Sequence, residues 1–217
     1  MYNGDIMDEN WEHSKEVIRE CLNRYEKVAV ACSFGKDSMV VVHLAIHIKP
    51  DIPIFTVMTP YKPKETFEYK DKMTKLWNLN ITEYRAKKSV PDGLWKTLPD
   101  ECCKILKVEP TREAVKDLDA WITGLRSTEG RTRTEYQEWE LKGGLMKVNP
   151  ILYWTEADTW RYLAVNQIPV HPWYAEGYRS IGCAPCSSPG GVNERDGRWK
   201  GTSKCGGECG IHTQKLK

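Results

Sequence analysis

The sequence predicts an α/β fold in which a mostly parallel β-sheet carries helices on both faces. Short apolar runs, such as residues 28–32, alternate with stretches whose apolar residues recur at helical spacing. A short continuous apolar run is typical of a strand that is buried on both faces. The regular alternation of such strands with helices indicates βαβ units, which place successive strands parallel to one another.

The chain is predicted to contain five helices and four strands. Helices are predicted over residues 11–25, 37–47, 64–77, 110–116 and 156–166. Strands are predicted over residues 28–32, 52–58, 81–85 and 120–124. Pro110 suits the first turn of its helix, where the missing N–H has no partner to lose. The glycine-rich stretch 177–210 is predicted to be mobile or tethered by a bound cluster instead of forming a packed layer.

Composition excludes several classes of protein. The net charge is only +2, from 32 basic and 30 acidic residues, so nucleic acid is not an expected partner. The longest apolar run, residues 39–48, is too short to cross a bilayer, and no membrane partner is expected. Eight cysteines accompany an acidic, polar N-terminus that is unlike a signal peptide. In a reducing compartment cysteines serve metal binding or catalysis, so we expect a cytoplasmic protein.

A candidate phosphate-binding loop, residues 33–38, lies between the first predicted strand and the helix that follows it. At such a junction backbone N–H groups and the helix dipole stabilise an anion. Glycine permits a close backbone approach, the serine hydroxyls donate hydrogen bonds, and the lysine adds a cation. The candidate binding residues are Ser33, Phe34, Gly35, Lys36 and Ser38. The alternative is an ordinary turn capped by Asp37 or Ser38, because the Walker pattern is absent.

Two close pairs of cysteines are candidate metal ligands. Cys102 and Cys103 are adjacent and therefore rarely bond to each other, while Cys183 and Cys186 are separated by two residues. Two pairs brought together from distant segments form a four-thiolate cage, the usual way to hold a [4Fe–4S] cluster. Cys209, with a histidine three residues further on, is left over as a reactive thiol.

A zinc ribbon is the alternative use of the later cysteines. Cys183, Cys186, Cys205 and Cys209 would close a tetrahedral four-thiolate site. That interpretation leaves Cys102 without a role, and the stretch before Cys205 is rich in basic residues, as in an anion-binding lid. We therefore favour the cluster over zinc.

Several motifs occur in the order found in the assimilatory sulfonucleotide reductases. They are Cys102-Cys103 with Lys107 and Pro110, Trp-Ile-Thr-Gly-Leu-Arg ending at Arg126, the pair Cys183 and Cys186, Gly-Arg-Trp at 197–199, and Glu-Cys-Gly-Ile-His at 208–212. The chain resembles this family from the phosphate loop to the C-terminus, and most closely its cluster-bearing adenylylsulfate (APS) reductase branch. The resemblance implies an adenine-nucleotide α-hydrolase-like fold. We expect a nucleotide-binding domain over residues 1–176 and a dependent cysteine-bearing C-terminal segment over 177–217.

The resemblance also implies a reaction, the reductive cleavage of APS to sulfite and AMP. The Cys209 thiolate would attack the sulfate sulfur and expel AMP, leaving an S-sulfocysteine. Thioredoxin or a glutaredoxin-like dithiol would then release sulfite. Cys102, Cys103, Cys183 and Cys186 would hold a [4Fe–4S] cluster that organises the site and its charge without shuttling electrons. Homo-oligomerisation is left open.

The same resemblance, together with charge, assigns the remaining site residues. Lys107 would lie between cluster and substrate, His212 would act with the nucleophile, and Arg126 would bind the nucleotide phosphate. Further positive charge would favour the Cys209 thiolate and neutralise the sulfate and phosphate. The residues expected to supply it are Arg195, Arg198, Lys204 and His212.

Two departures from the family pattern leave alternatives open. The phosphate loop is closer to that of ATP pyrophosphatases, and Lys36 or a neighbouring cation would accept the extra phosphate of phosphoadenylylsulfate (PAPS) in a PAPS reductase. An ATP pyrophosphatase or sulfurtransferase is the alternative from another class. The second departure is Cys205, which either is a bystander or resolves the intermediate by forming a disulfide with Cys209 across Gly206 and Gly207.

Overall fold

The computed structural model describes residues 4–205 and 207–217, and it confirms the predicted α/β fold. The strands are β1 (Val28–Ala31), β2 (Ile54–Val57), β3 (Ile81–Tyr84), β4 (Ala120–Ile122), β5 (Trp139–Lys142) and β6 (Leu145–Val148). They form one sheet in the order β3-β2-β1-β4-β6-β5. All neighbours pair in parallel except β5 and β6, which are antiparallel.

Helices flank the sheet and connect its strands. They are α1 (Gly4–Arg24), α2 (Lys36–Ile48), α3 (Lys64–Trp77), α4 (Leu94–Thr97), α5 (Pro99–Cys103), α6 (Glu109–Val115), α7 (Glu156–Val165) and α8 (Gly210–Thr213). A π-helical turn, Lys104–Val108, joins α5 to α6. None of the described helices combines the length and apolar character that a bilayer crossing requires.

The alternation of side chains along β1 separates two cores. Val28 and Val30 face a large core that also contains apolar residues of α1, α2 and α7. Ala29 faces the opposite core, which includes Trp121 of β4 and Leu216 near the C-terminus. Because successive side chains of a strand point to opposite faces, one short apolar run serves both layers. The C-terminal segment is thereby held on the second face of the sheet.

The sheet places a crevice where β1 and β4 lie side by side. The chain continues from β1 toward β2 and β3 on one side, whereas β4, β6 and β5 occupy the other. At such a reversal of strand order, the loops after the two strands diverge at their carboxyl ends and leave room for a ligand. A Cβ at Gly124, just after β4, would lie 2.8 Å from the backbone of Ser38, so only glycine permits this close approach.

Three parts of the fold differ from the predictions. The sequence analysis missed the β5–β6 hairpin, whose turn uses Gly143 and Gly144 at φ values of 63° and 80°. It also missed the helical stretch from Leu94 to Val108, which is divided into short segments without a long apolar period. The first helix begins at Gly4, seven residues before its predicted start. The predicted glycine-rich segment does lack long elements, but its Trp199 is only 1% exposed.

Candidate functional site

A cavity of about 200 Å³ opens at the carboxyl ends of β1 and β4. Its walls come from the phosphate loop, the loop after β4, the 180–182 and 195–199 stretches, and the C-terminal segment. It therefore brings Cys209 to the same space as the phosphate loop, although the two are far apart in sequence. This space is the candidate active site.

The phosphate loop is closed by its own hydrogen bonds. The Ser38 hydroxyl donates to the carbonyl of Gly35 at 2.9 Å and lies 3.2 Å from the Ser33 hydroxyl. Phe34 adopts a positive φ of 63° and buries its ring edge-on against Tyr69, so only its backbone is available to a ligand. The Lys36 N–H donates to the Tyr174 hydroxyl at 2.8 Å. Tyr174, which the sequence analysis did not single out, thus partners the first residue of α2.

A carboxylate from the C-terminal segment lies between the two cations predicted to bind phosphate. Glu194 accepts hydrogen bonds from the Lys36 ammonium and the Arg126 guanidinium. Arg126 also donates to Asp37 at 2.6 Å. Burial alone would lower the pKa of Lys36, but the negative charges of Asp37 and Glu194 raise it overall, so Lys36 stays protonated. Sequence reasoning missed Glu194, because a glutamate within a run of charged residues usually remains in solvent.

A second ionic network lies beside Cys209. Arg133 donates to both oxygens of Glu208 and is also paired with Glu129. Arg195 bridges the same two glutamates, at 3.2 Å from each. Burial would raise the pKa of Glu208, but Arg133 lowers it to about 2. The Cys209 N–H donates to Glu208 at 2.7 Å, so this network fixes the backbone of the predicted nucleophile.

The carboxylates near the phosphate loop also form the one acidic group in the described chain that could hold a metal ion. Oxygens of Asp37, Glu129 and Glu194 lie within 4.8 Å of one another. Each of them is already paired with a buried arginine or lysine. The group is therefore held together by protein cations and shows no unused negative charge.

Three cations of the cavity have no carboxylate partner among residues 4–205 and 207–217. Lys62 and Lys107 make no ion pair there, and Arg198 bonds only the Ser180 hydroxyl and the Ile181 carbonyl, at 3.3 and 3.4 Å. Burial, assisted by the charge of Lys107, lowers the pKa of Lys62 to about 8. For Lys107 burial acts in the same direction, but the negative charge of neighbouring thiolates raises its pKa. The sequence analysis missed Lys62, although this residue follows β2 at the carboxyl edge of the sheet, where ligands bind in such folds.

Lys204 and His212, which the sequence analysis expects to add positive charge near Cys209, are placed differently: His212 lines the cavity and Lys204 does not. Lys204 is paired with Asp100, at the edge of the cysteine-rich region. The His212 ring is stacked on Trp121, at an interplanar angle of 14°. Burial first, and then the charges of Lys147 and Arg133, hold the pKa of His212 well below its usual value. His212 is therefore a neutral ring at pH 7, because a second positive charge there would be both desolvated and repelled.

The structure brings the two cysteine pairs together. Cys102 and Cys103 end α5, and Cys183 and Cys186 flank a single 3₁₀ turn. All four are buried and line one small cavity, with Lys107 at its edge. We call these four residues the cysteine group. Lys107 also lines the larger cavity and therefore lies between the cysteine group and the candidate active site.

The spacing of the thiols distinguishes between the two metals considered. Within the described chain, no three cysteine sulfurs lie within 4.8 Å of one another. A tetrahedral zinc ion with Zn–S bonds of 2.3 Å would draw its sulfurs to about 3.8 Å apart. A four-iron cluster is larger and holds its four thiolates further apart. The zinc ribbon would also need Cys205, which is exposed. The thiols are therefore too far apart to bind a single zinc ion without rearrangement, and the cysteine group is compatible with a four-iron cluster.

Cys205 lies on a different surface from Cys209. It lines an outer groove of about 1100 Å³ with Lys200 and Arg179, whereas Cys209 lines the inner cavity. Cys205 is exposed and Cys209 is half-buried. Gly206, on which the predicted approach of the two thiols partly depends, lies outside the described residues. The role of Cys205 as a resolving thiol stays a prediction.

The fold and the site together define an α/β protein in which Cys209 lines a cavity with the candidate phosphate loop, beside a buried cysteine group. The chain belongs to the phosphoadenosine phosphosulfate reductase family, whose domain model matches residues 27–189. This finding confirms the resemblance to the sulfonucleotide reductases.

Curated relatives match nearly the whole chain. The adenosine 5′-phosphosulfate reductase of Halalkalibacterium halodurans is 34% identical over 92% of this chain and 91% of its own length. Adenosine 5′-phosphosulfate reductase 1 of Bacillus subtilis is 35% identical over 94% of this chain and 93% of its own length. Both coverages include the cysteine-bearing C-terminal segment or most of it.

Solved structures confirm the fold. The phosphoadenylyl-sulfate reductase of Candida auris, a phosphate complex, superposes with a TM-score of 0.71 at 21% identity and covers 85% of this chain and 97% of that one. The FMN adenylyltransferase of Candida glabrata, with FAD and inorganic pyrophosphate, superposes with a TM-score of 0.69 at 15% identity and covers 87% and 69%. The shared architecture is the adenine-nucleotide α-hydrolase-like sheet that the resemblance implies.

Proposed function

We propose that this chain reduces adenylylsulfate to sulfite and AMP through an S-sulfocysteine on Cys209, with a thioredoxin-type dithiol as reductant. The observation that carries the proposal is the position of Cys209. It lines one cavity with the phosphate loop on one side and Lys107, which borders the cysteine group, on the other. The names of the curated relatives support the same reaction.

The residues of the cavity would act on different parts of the substrate. The phosphate loop would hold the nucleotide phosphate, and Lys107 and Arg198 would neutralise the sulfo group next to Cys209. The Glu208 network would hold the Cys209 backbone so that the thiolate faces the sulfur, which is a positioning contribution. Cys102, Cys103, Cys183 and Cys186 would hold a [4Fe–4S] cluster, which would supply a fixed charge and a rigid wall to the site.

The pairing of Lys36 favours APS over PAPS. Lys36, a candidate acceptor for the extra phosphate of PAPS, donates to Glu194 and to the carbonyl of Arg179 at 2.8 Å. An added phosphate would meet a carboxylate there and would lose affinity by charge repulsion. The ATP pyrophosphatase alternative explains the phosphate loop but gives no task to Cys209.

The second half of the reaction needs access for a reductant. Cys209 is half-buried, so a dithiol such as thioredoxin could attack the sulfur of its S-sulfo group. The eight cysteines are all unbridged. A reducing compartment, the cytoplasm in our proposal, would keep both the nucleophile and the cysteine group in the thiol state.

An anaerobic assay of sulfite release from APS and PAPS, side by side with thioredoxin, tests the proposal. We expect faster release from APS, no release by Cys209→Ser, and about four irons per chain in both proteins. Cys21→Ser, a change at a buried cysteine far from the cavity, is the matched control. Turnover by Cys209→Ser, or a zinc-loaded protein without iron, would contradict the proposal.

A further inference from the structure

Lys62 lies on a turn that joins the phosphate loop to the cysteine group. The turn follows β2, and the Lys62 N–H donates to the carbonyl of Thr59 at 3.1 Å. The Thr59 hydroxyl lies 3.1 Å from the sulfur of Cys183. At the other end of the turn, the Lys62 ammonium donates to the carbonyl of Ser33 at 3.4 Å. The same short turn therefore contacts a cysteine of the group and directs a cation at the phosphate loop.

The charges around Lys62 leave it available for an anion. Lys107 and Arg198 are the cations near Lys62, the cysteines Cys183 and Cys32 are its other titratable neighbours, and none of the three cations pairs with a described carboxylate. Holding like charges together in a partly desolvated space raises the free energy of the unliganded protein. An anion bound among the three would remove that repulsion, so the arrangement favours a ligand with negative charge.

We propose that Lys62 binds the phosphate oxygen that leaves when Cys209 attacks the sulfate sulfur. This inference rests on the proposed function. The attack forms a sulfur–sulfur bond and breaks the bond between sulfur and the bridging oxygen. The bonding electron pair stays on that oxygen, and AMP leaves as an anion without taking up a proton. Negative charge therefore grows on the phosphate side of the broken bond.

The position of each cation decides which charge it meets. Lys107 borders the cysteine group, and Arg198 lies over the ring of Trp199, which packs in one cluster with Cys209, so both lie on the side of the attacking sulfur. Lys62 contacts the carbonyl of Ser33 and lies on the side of the leaving oxygen. A cation fixed where charge develops stabilises the transition state more than the bound substrate. Lys62 accordingly acts on the rate of the attack more than on binding.

The test is anaerobic single-turnover mixing of the cluster-containing protein with APS, in the absence of reductant. Formation of the S-sulfo adduct on Cys209 is followed by mass spectrometry for the wild type, Lys62→Met, Lys62→Arg and Lys64→Met. We expect adduct formation by Lys62→Met to slow by roughly 100-fold, the effect of removing one donor to a developing anion. Lys62→Arg should recover most of the rate. Lys64→Met is the matched control, because the Lys64 side chain is 85% exposed.

Two further measurements separate a chemical role from a structural one. Iron content and visible absorption should be the same in all four proteins, and affinity for AMP should change by less than tenfold. An unchanged rate of adduct formation in Lys62→Met would overturn the proposal. Loss of iron from Lys62→Met would also overturn it, because Lys62 would then support Cys183. If the wild type forms no adduct from APS or PAPS, the proposed function itself fails, which is a distinguishable result.

Discussion

The cations in the cavity and next to it fall into two groups that differ in their partners. Lys36, Arg126, Arg133 and Arg195 are each paired with buried carboxylates, and we call them the neutralised cations. Lys62, Lys107 and Arg198 have no such partner in the part of the chain that the structure describes, and we call them the carboxylate-free cations. Six of these cations line the same cavity, and Arg126 lies next to it, bonded to Asp37 and Glu194. Of the carboxylate-free cations, Lys107 borders the cysteine group and Lys62 contacts the phosphate loop.

We infer that the neutralised cations hold the site together and that the carboxylate-free cations bind the substrate. A buried ion pair gains little net free energy, but removal of one partner leaves a charge without compensation. A neutralised cation therefore affects the fold of the site, and a carboxylate-free cation mainly affects an added anion.

Removal of Arg133 should give the largest loss of stability. Arg133 is 5% exposed and pairs with Glu129 and Glu208, so Arg133→Met leaves two buried carboxylates short of a partner. We expect the free energy of unfolding to fall by about 3–5 kcal/mol, the usual cost of breaking a buried pair. Urea unfolding followed by circular dichroism measures it.

The matched control for Arg133 is an arginine with an exposed partner. Arg19 pairs with Glu16 on the surface of α1, and Arg19→Met should change the free energy of unfolding by less than about 1 kcal/mol. Equal stability of Arg133→Met and Arg19→Met would remove the distinction between the two groups of cations.

Removal of Arg198 should produce the opposite pattern, with a loss of substrate capture and little loss of stability. Arg198→Ala removes a charge-assisted contact to a multiply anionic ligand, worth about 1.5–3 kcal/mol. We expect kcat/KM for APS to fall by roughly ten- to a hundredfold. Steady-state assays with thioredoxin measure this change, and urea unfolding of the same protein measures stability. A large loss of stability with unchanged turnover would move Arg198 into the neutralised group.

The sequence could predict those parts of the site that depend on the chemistry of single residues. Adjacent cysteines cannot easily bond to each other, so Cys102 and Cys103 favour metal binding, which stays a prediction, and the structure does place them beside Cys183 and Cys186. Strand ends in an α/β sheet meet at one edge, which locates the phosphate loop. Pairings between distant segments carry no such local signal. Glu194 lies 158 positions from Lys36, and nothing in its surrounding run of charges shows that it is buried.

The other missed features differ in whether a local signal exists. The β5–β6 hairpin has a local signal, since Gly143-Gly144 suits a two-residue turn, and it could have been predicted. The neutral state of His212 could not, because it results from burial against Trp121 and from the charge of Lys147 on another element. The charge state of His212 depends on tertiary contacts, so residue type alone does not predict it.

The smallest predicted effect concerns Glu194, the carboxylate that pairs with two of the neutralised cations. Glu194 neutralises both Lys36 and Arg126 and has a side chain that is only 5% exposed. A nucleotide phosphate that reaches these cations must displace the Glu194 carboxylate. Glu194→Gln keeps the shape of the side chain and removes its charge, so a phosphate meets a weaker competitor. We expect AMP to bind about tenfold more tightly, equivalent to about 1.4 kcal/mol.

Isothermal titration with AMP measures this change, and Glu176→Gln is its matched control, because Glu176 is exposed in the same C-terminal half. The free energy of unfolding of Glu194→Gln without nucleotide should fall, since Arg126 then keeps Asp37 and Lys36 keeps only the longer contacts to Asp37 and Glu156, at 3.6 and 3.9 Å. AMP should restore part of that loss, because a ligand that binds only the folded state stabilises it. Weaker binding of AMP by Glu194→Gln would instead mean that the carboxylate orients the two cations for the phosphate, and the neutralised cations would then belong to the substrate site.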